Sequence, residues 1–169
     1  MQLFDTQRLT IRHITLSDKA SLTPLLTDKK TMQYSIKQSF TDSEVDSFII
    51  QMINTYAEAH FGYWLVIEKE TEKAIGLCGL NRHQVDGLNI LHLNYRLGSD
   101  FLGRGYATEI ALGLKNYSAN VLNEQTIYAM IFPSNIESIA VVKRANFEFL
   151  KQTEFKGNLV NLYKNTLAS

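Results

Sequence analysis

The chain has 169 residues, 45% apolar and 20% charged, with 17 Lys and Arg against 17 Asp and Glu. That length is expected to form one domain, residues 1–169, with a sizeable core, and the absence of a basic excess argues against a nucleic-acid partner. A single cysteine, Cys78, excludes an internal disulfide and a multi-cysteine zinc site, and no apolar run reaches membrane-spanning length, so a cytoplasmic protein without a membrane partner is expected.

Arg8 to Ile14 reads as a first strand, carried by Leu9 and Ile11, and Ser17 as the cap of a helix running to about Asp28. Thr41-Asp42-Ser43-Glu44 is a capping box. It opens a longer helix with Val45, Phe48, Ile49, Met52, Ile53 and Tyr56 at helical spacing. Phe61 to Glu68 and Ala74 to about Asn81 read as strands, separated by a charged turn. Asp86-Gly87 signals a hairpin, with a connection expected to be longer than the tightest kind. Asn89 to Leu97 alternates strictly, with Leu91, Leu93, Tyr95 and Leu97 on one face and His92, Asn94 and Arg96 on the other.

Gly103-Arg104-Gly105-Tyr106-Ala107-Thr108 then opens a helix to about Ala119. A glycine-rich turn between strand and helix leaves unpartnered amides that a ligand can approach closely, and Arg104 adds a cation suited to phosphate oxygens. By its physics the stretch is a pyrophosphate cradle. Thr126 to Phe132 reads as a strand, and Ser134-Asn135-Ile136-Glu137 as a second capping box opening a helix to about Ala145. Asn146 stands where a helix C′ residue takes positive φ. Phe147 to Phe155 and Leu159 to Thr166 are closing strands. The order is that of a mixed α/β chain on one central sheet, without repeats or linkers.

These motifs resemble the GNAT superfamily of acyl-CoA-dependent N-acetyltransferases over nearly the whole chain. The family's Gln/Arg-x-x-Gly-x-Gly/Ala loop is matched by Leu102-Gly103-Arg104-Gly105-Tyr106-Ala107, departing at Leu102. Its Asn-x-x-Ser motif, followed after about eight residues by Gly-Phe, is matched by Asn135-Ile136-Glu137-Ser138 and Asn146-Phe147. The opening Thr6-Gln7-Arg8-Leu9-Thr10-Ile11-Arg12 and the ending Lys151 to Phe155 with Asn161-Leu162-Tyr163 resemble the RimJ/RimL-type subfamily, best its ribosomal-protein serine N-acetyltransferase type. The resemblance implies the GNAT fold: a twisted, mostly antiparallel sheet of about seven strands with flanking helices.

It also implies acetyl-CoA as co-substrate, no metal, and a primary amine as acceptor, first of all the α-amine of a ribosomal or other protein N-terminus. The amides of Gly103, Arg104, Gly105, Tyr106, Ala107 and Thr108 would hold the pyrophosphate. Arg96-Leu97 would pair with the pantetheine arm, the Leu97 amide serving as oxyanion donor. Asn135 would hydrogen-bond the cofactor arm or a nearby water, Ser138 would protonate the leaving thiolate, and Glu154 matches the general base proposed for the subfamily.

Each residue has a plainer reading. Ser138 could be a solvated helix residue, Glu154 an exposed strand carboxylate, Asn135 a helix-end residue, and Tyr106 a side chain packed on the loop. Cys78 reads as a buried small hydrophobe, with no acetyl-cysteine intermediate expected. His13, His60, His83 and His92 lack metal-ligand spacing; Trp64 reads as core and Tyr34 as a candidate groove residue. Two other functions compete: a small-molecule amine acetyltransferase and a non-catalytic acyl-CoA-binding module. The lack of an acidic cluster argues against a polycationic acceptor. A P-loop or Rossmann site lacks its sequence basis, since Thr108 stands where the third Rossmann glycine belongs. Monomer and homodimer both remain open.

Overall fold

Period-two apolar patterns build strands and 3.6-residue patterns build helices in a computed structural model that describes residues 1–59 and 61–167. The elements are β1 (Gln2–Asp5), β2 (Leu9–Arg12), α1 (Lys19–Thr27), α2 (Asp42–Glu58), β3 (Gly62–Glu68), β4 (Ala74–Val85) and β5 (Leu88–Leu97). They are followed by α3 (Tyr106–Asn120), β6 (Thr126–Ile131), α4 (Ile136–Arg144), β7 (Glu148–Phe155) and β8 (Asn158–Thr166). The strands form one mixed, mostly antiparallel sheet in the order β1-β2-β3-β4-β5-β6-β8-β7. Strands β5 and β6 pair in parallel.

The sheet has eight strands among the described residues, not about seven, because Gln2–Asp5 pairs antiparallel with β2. Its four residues carry too short a pattern to read from sequence. Strand β4 continues past Asn81 to Val85, and the hairpin turn is the two residues Asp86 and Gly87, at φ 48° and 77°. This is the tightest connection rather than a longer one. Both residues take positive φ, which matches the right-handed strand twist.

Contacts divide the chain into two compact units: residues 1–79 with 95–106, and residues 80–94 with 107–169. In the first, Leu22 and Leu26 of α1 and Val45, Phe48, Ile49 and Met52 of α2 pack with Leu65 and Leu77. Each such side chain contributes roughly 1.5–3 kcal/mol on burial. Trp64 is fully buried, as its core reading expects. In the second, Val85, Ile90 and Leu162 form a cluster with Tyr128, Met130 and Phe155 against it.

The entry to α1 differs from the expected Ser17 cap. Residues Leu16–Asp18 form a 3₁₀ turn, and the buried Asp18 carboxylate accepts from the Thr15 amide at 2.7 Å and from Arg12 Nη1 and Nη2 at 2.8 and 2.7 Å. A carboxylate takes a fork of donors that a serine hydroxyl cannot. Burial opposes the Asp18 charge, but the Arg12 guanidinium and Thr15 outweigh it and hold the carboxyl below its usual range. Its stabilisation is therefore complete above the unfolded carboxyl pKa and is lost as pH falls through the folded one. Asp18→Asn is expected to lose about 2 kcal/mol at pH 7. In denaturant titrations the deficit should shrink below about pH 4; a deficit that does not change with pH would refute the ion-pair account.

The capping box at Thr41 forms as expected, with the Glu44 carboxylate accepting from the Thr41 amide at 2.7 Å. Lys37, with Thr41, pulls Glu44 down to about 2. The second cap is Asn135, not Ser134: Asn135 Oδ1 accepts from the Ser138 amide at 3.2 Å. Asn146 takes the expected positive φ, 64°.

Candidate active site

In the first unit, β5 ends at Leu97, the Gly98 amide donates to Ile75 O at 2.9 Å, and the chain turns through Ser99–Phe101 into residues 102–105. Gly103 and Gly105 have φ 73° and 79°, left-handed values that L side chains rarely adopt. Residues 102–105 are exposed, and α3 begins at Tyr106. The first amides of a helix lack intrahelical acceptors and sit at the positive end of its dipole. A loop with two side-chain-free, left-handed positions entering a fifteen-residue helix fits a pyrophosphate.

Arg104 is exposed, with its guanidinium 5.4 Å from the Phe101 ring centroid. Tyr106 is different. Its side chain is buried and its hydroxyl donates to the Glu68 carboxylate of β3. Tyr106 therefore has its backbone amide, not its phenol, to offer an anion. Hydrogen bonds from Thr71 and Tyr106 hold Glu68 below its usual carboxylate range.

Arg96 and Leu97 close β5. Leu97 is buried, and Arg96 donates to the Tyr63 hydroxyl at 3.2 Å. Gly76 lies so close that a Cβ there would stand 2.1 Å from the Arg96 carbonyl oxygen. The backbone at the expected oxyanion position is thus fixed by direct contact with β4.

The second unit carries the remaining expected residues. Ala107 and Thr108, both half-buried, continue the first turn of α3. Asn135 and Ser138 meet at the start of α4 through the Asn135 cap, which occupies Oδ1 and leaves Nδ2 as a donor. No hydrogen bond to the Ser138 hydroxyl is present among the described residues, and Ser138 is half-buried. Glu154 is exposed on β7, in register with Leu159 of β8. Its neighbours Thr153 and Phe155 point to the other face by strand alternation. Thr153 donates to Asp86 Oδ2 at 2.7 Å, and Asp86 also pairs with Lys151 at 2.6 Å.

β5 and β6 share one registered pair, His92 with Tyr128, whereas β6 and β8 share six. Two parallel strands that meet at one pair leave much of their facing backbone to other partners.

A histidine pair is present that sequence spacing did not single out. The rings of His83 on β4 and His92 on β5 are 5.0 Å apart, and His83 also packs at 4.9 Å on Phe155. Burial, with the Lys156 charge, holds His83 below its usual value, so its imidazole is neutral at pH 7. The signal was available: a two-residue turn at Asp86-Gly87 with period-two alternation puts both rings on one face. His13 stacks on Tyr56 at 3.9 Å, and His60 lies outside the described residues. Cys78 is fully buried, and burial pushes its thiol above the usual range, which suits a packed hydrophobe and not a nucleophile. Tyr34 is exposed. Among the described residues no group of three or more His, Cys, Asp or Glu could hold a metal, and no helix is long and apolar enough to cross a membrane.

The family model described as acetyltransferase (GNAT) domain matches residues 8–148. The uncharacterized N-acetyltransferase p20 of Bacillus licheniformis is 32% identical over 99% of this chain and 96% of its own length. Among solved structures, RimL, a ribosomal L7/L12 α-N-protein acetyltransferase in complex with coenzyme A, superposes with TM-score 0.81 at 17% identity, covering 99% of this chain and 98% of that one. Spermidine N-acetyltransferase from Vibrio cholerae, in complex with coenzyme A and spermine, gives 0.76 at 15%, covering 95% and 96%. The two structural likenesses establish the fold.

Proposed function

The chain belongs to the acetyltransferase (GNAT) family and uses acetyl-CoA as co-substrate, and from that premise we propose that it acetylates the α-amine of a protein N-terminus. The observation that carries the co-substrate assignment into this chain's own residues is the Gly103–Gly105 loop, left-handed at both glycines and running into α3. Its amides, from Gly103 to Thr108, hold the pyrophosphate, with Arg104 as the adjoining cation. The backbone at Arg96-Leu97 pairs with the pantetheine arm, and the Leu97 amide donates to the carbonyl oxygen as it gains charge.

The acceptor amine attacks the thioester carbonyl carbon directly. The new N–C bond forms, the C–S bond breaks, the amine proton passes to a base, and the thiolate collects a proton. Glu154 is the base by resemblance to the subfamily, and Ser138 passes its hydroxyl proton to the thiolate while taking one from a solvent water, so that the serine ends unchanged. A thiol is a far stronger acid than an alcohol, so the thiolate leaves with little help, and Ser138→Ala is expected to cost only about 10-fold in kcat. KM for acetyl-CoA should stay near wild type. A raised KM with unchanged kcat would instead make Ser138 a binding residue.

The RimJ/RimL-like opening and closing motifs support a protein acceptor, as does the fold shared with RimL. A small amine is the second reading, supported by the fold shared with spermidine N-acetyltransferase. A direct competition separates them. The protein is given acetyl-CoA with equal amounts of a serine-initiated peptide and spermidine, and the products are read by mass spectrometry. The protein-acceptor reading expects the peptide α-amine to be acetylated first; exclusive acetylation of spermidine would replace it.

A further inference from the structure

We propose that Arg8, 96 residues earlier in the chain, is a positioning residue that sets the anion-binding conformation of the loop at Gly103–Tyr106. The proposal rests on the reading of that loop as the coenzyme A pyrophosphate site. Five contacts within the first unit carry it. Arg8 Nη1 donates to the Arg104 carbonyl oxygen at 2.9 Å. The Arg8 guanidinium lies over the Tyr106 ring, 4.3 Å from its centroid. The Tyr106 hydroxyl donates to the Glu68 carboxylate, which also accepts from Thr71. The Lys69 amide donates to the Arg8 carbonyl at 2.9 Å, tying the Arg8 backbone to the residue after Glu68.

The consequence follows from peptide geometry. In a trans peptide the C=O and the next N–H point in opposite directions. With the Arg104 carbonyl turned toward Arg8, the Gly105 N–H turns away from Arg8. The ring of Tyr106, held by Arg8 on its face and Glu68 at its hydroxyl, fixes the first residue of α3 at the same time. Arg8 Nη2 also stands 3.4 Å from where a Gly105 Cβ would be, so the loop rests against the guanidinium. Arg8 thus acts on the phosphates through the loop backbone.

The test compares two acetyl donors. Acetyl-CoA carries the pyrophosphate; S-acetylpantetheine lacks it. Arg8→Ala is expected to raise KM for acetyl-CoA about 10-fold, the combined worth of one hydrogen bond and one cation–π contact, with kcat little changed. Kinetics with S-acetylpantetheine should match wild type. Arg8→Lys, which keeps the charge but not the planar fork, should recover part of the loss. Tyr106→Phe, which keeps the ring for Arg8 and releases Glu68, should give a smaller rise with the same donor dependence. Equal losses with both donors, or an unchanged KM for acetyl-CoA, would overturn the proposal. Failure of the wild-type protein to bind coenzyme A would instead strike the reading of the loop itself.

Discussion

Gly105→Val is expected to raise KM for acetyl-CoA by at least about 100-fold, because left-handed strain and a lost charge-assisted hydrogen bond together cost about 3 kcal/mol. The strain arises because Gly105 sits at φ 79°, where a β-branched residue is least at home. A Cβ there also meets Arg8 Nη2 at 3.4 Å, so relaxing the strain disturbs the contact that orients the loop. The loss should appear as weaker coenzyme A binding in calorimetry, with far-ultraviolet circular dichroism unchanged, since the loop is exposed and outside both buried cores. Wild-type affinity in this variant would mean that the loop does not bind the pyrophosphate.

Glu154→Gln is expected to lower kcat by about 100-fold or more, the low end of what a positioned general base contributes. The loss should be greatest at low pH, where least of the acceptor amine is free of its proton. Exposed on β7, Glu154 is accessible to solvent and to an incoming amine, directly or through one water. A pH–rate profile identical to wild type would remove Glu154 from the base role.

The features legible in the sequence share one property: their cause is local. The Thr41–Glu44 box, the positive φ at Asn146 and the glycine loop before α3 each follow from residues within one or two turns of each other. Strand alternation from Asn89 to Leu97 was equally readable. What was missed depended on pairing. Strand β1 exists because β2 offers an edge, and four residues cannot announce that alone. The end of β4 is disguised by Arg82, His83 and Gln84, polar residues outside the apolar run. Ser134 and Asn135 are both good caps, so the sequence does not decide between them, and Asn135 is the one that forms the cap. At the candidate site, the loop and its glycines were visible from spacing, and the burial of Tyr106 was the plainer of two readings. The Arg8 brace was not visible, because only folding brings residues 8 and 104 together. The histidine pair was concealed by the misjudged hairpin length.

The central claim is acetyl transfer from acetyl-CoA to an amine. Release of free thiol from acetyl-CoA by the purified protein, measured against serine- and alanine-initiated peptides, spermidine and an aminoglycoside, tests it most directly. The account predicts acceptor-dependent thiol release that is fastest with a peptide and abolished when its α-amine is blocked. No acceptor-dependent release across the panel, together with no binding of acetyl-CoA by calorimetry, would contradict it.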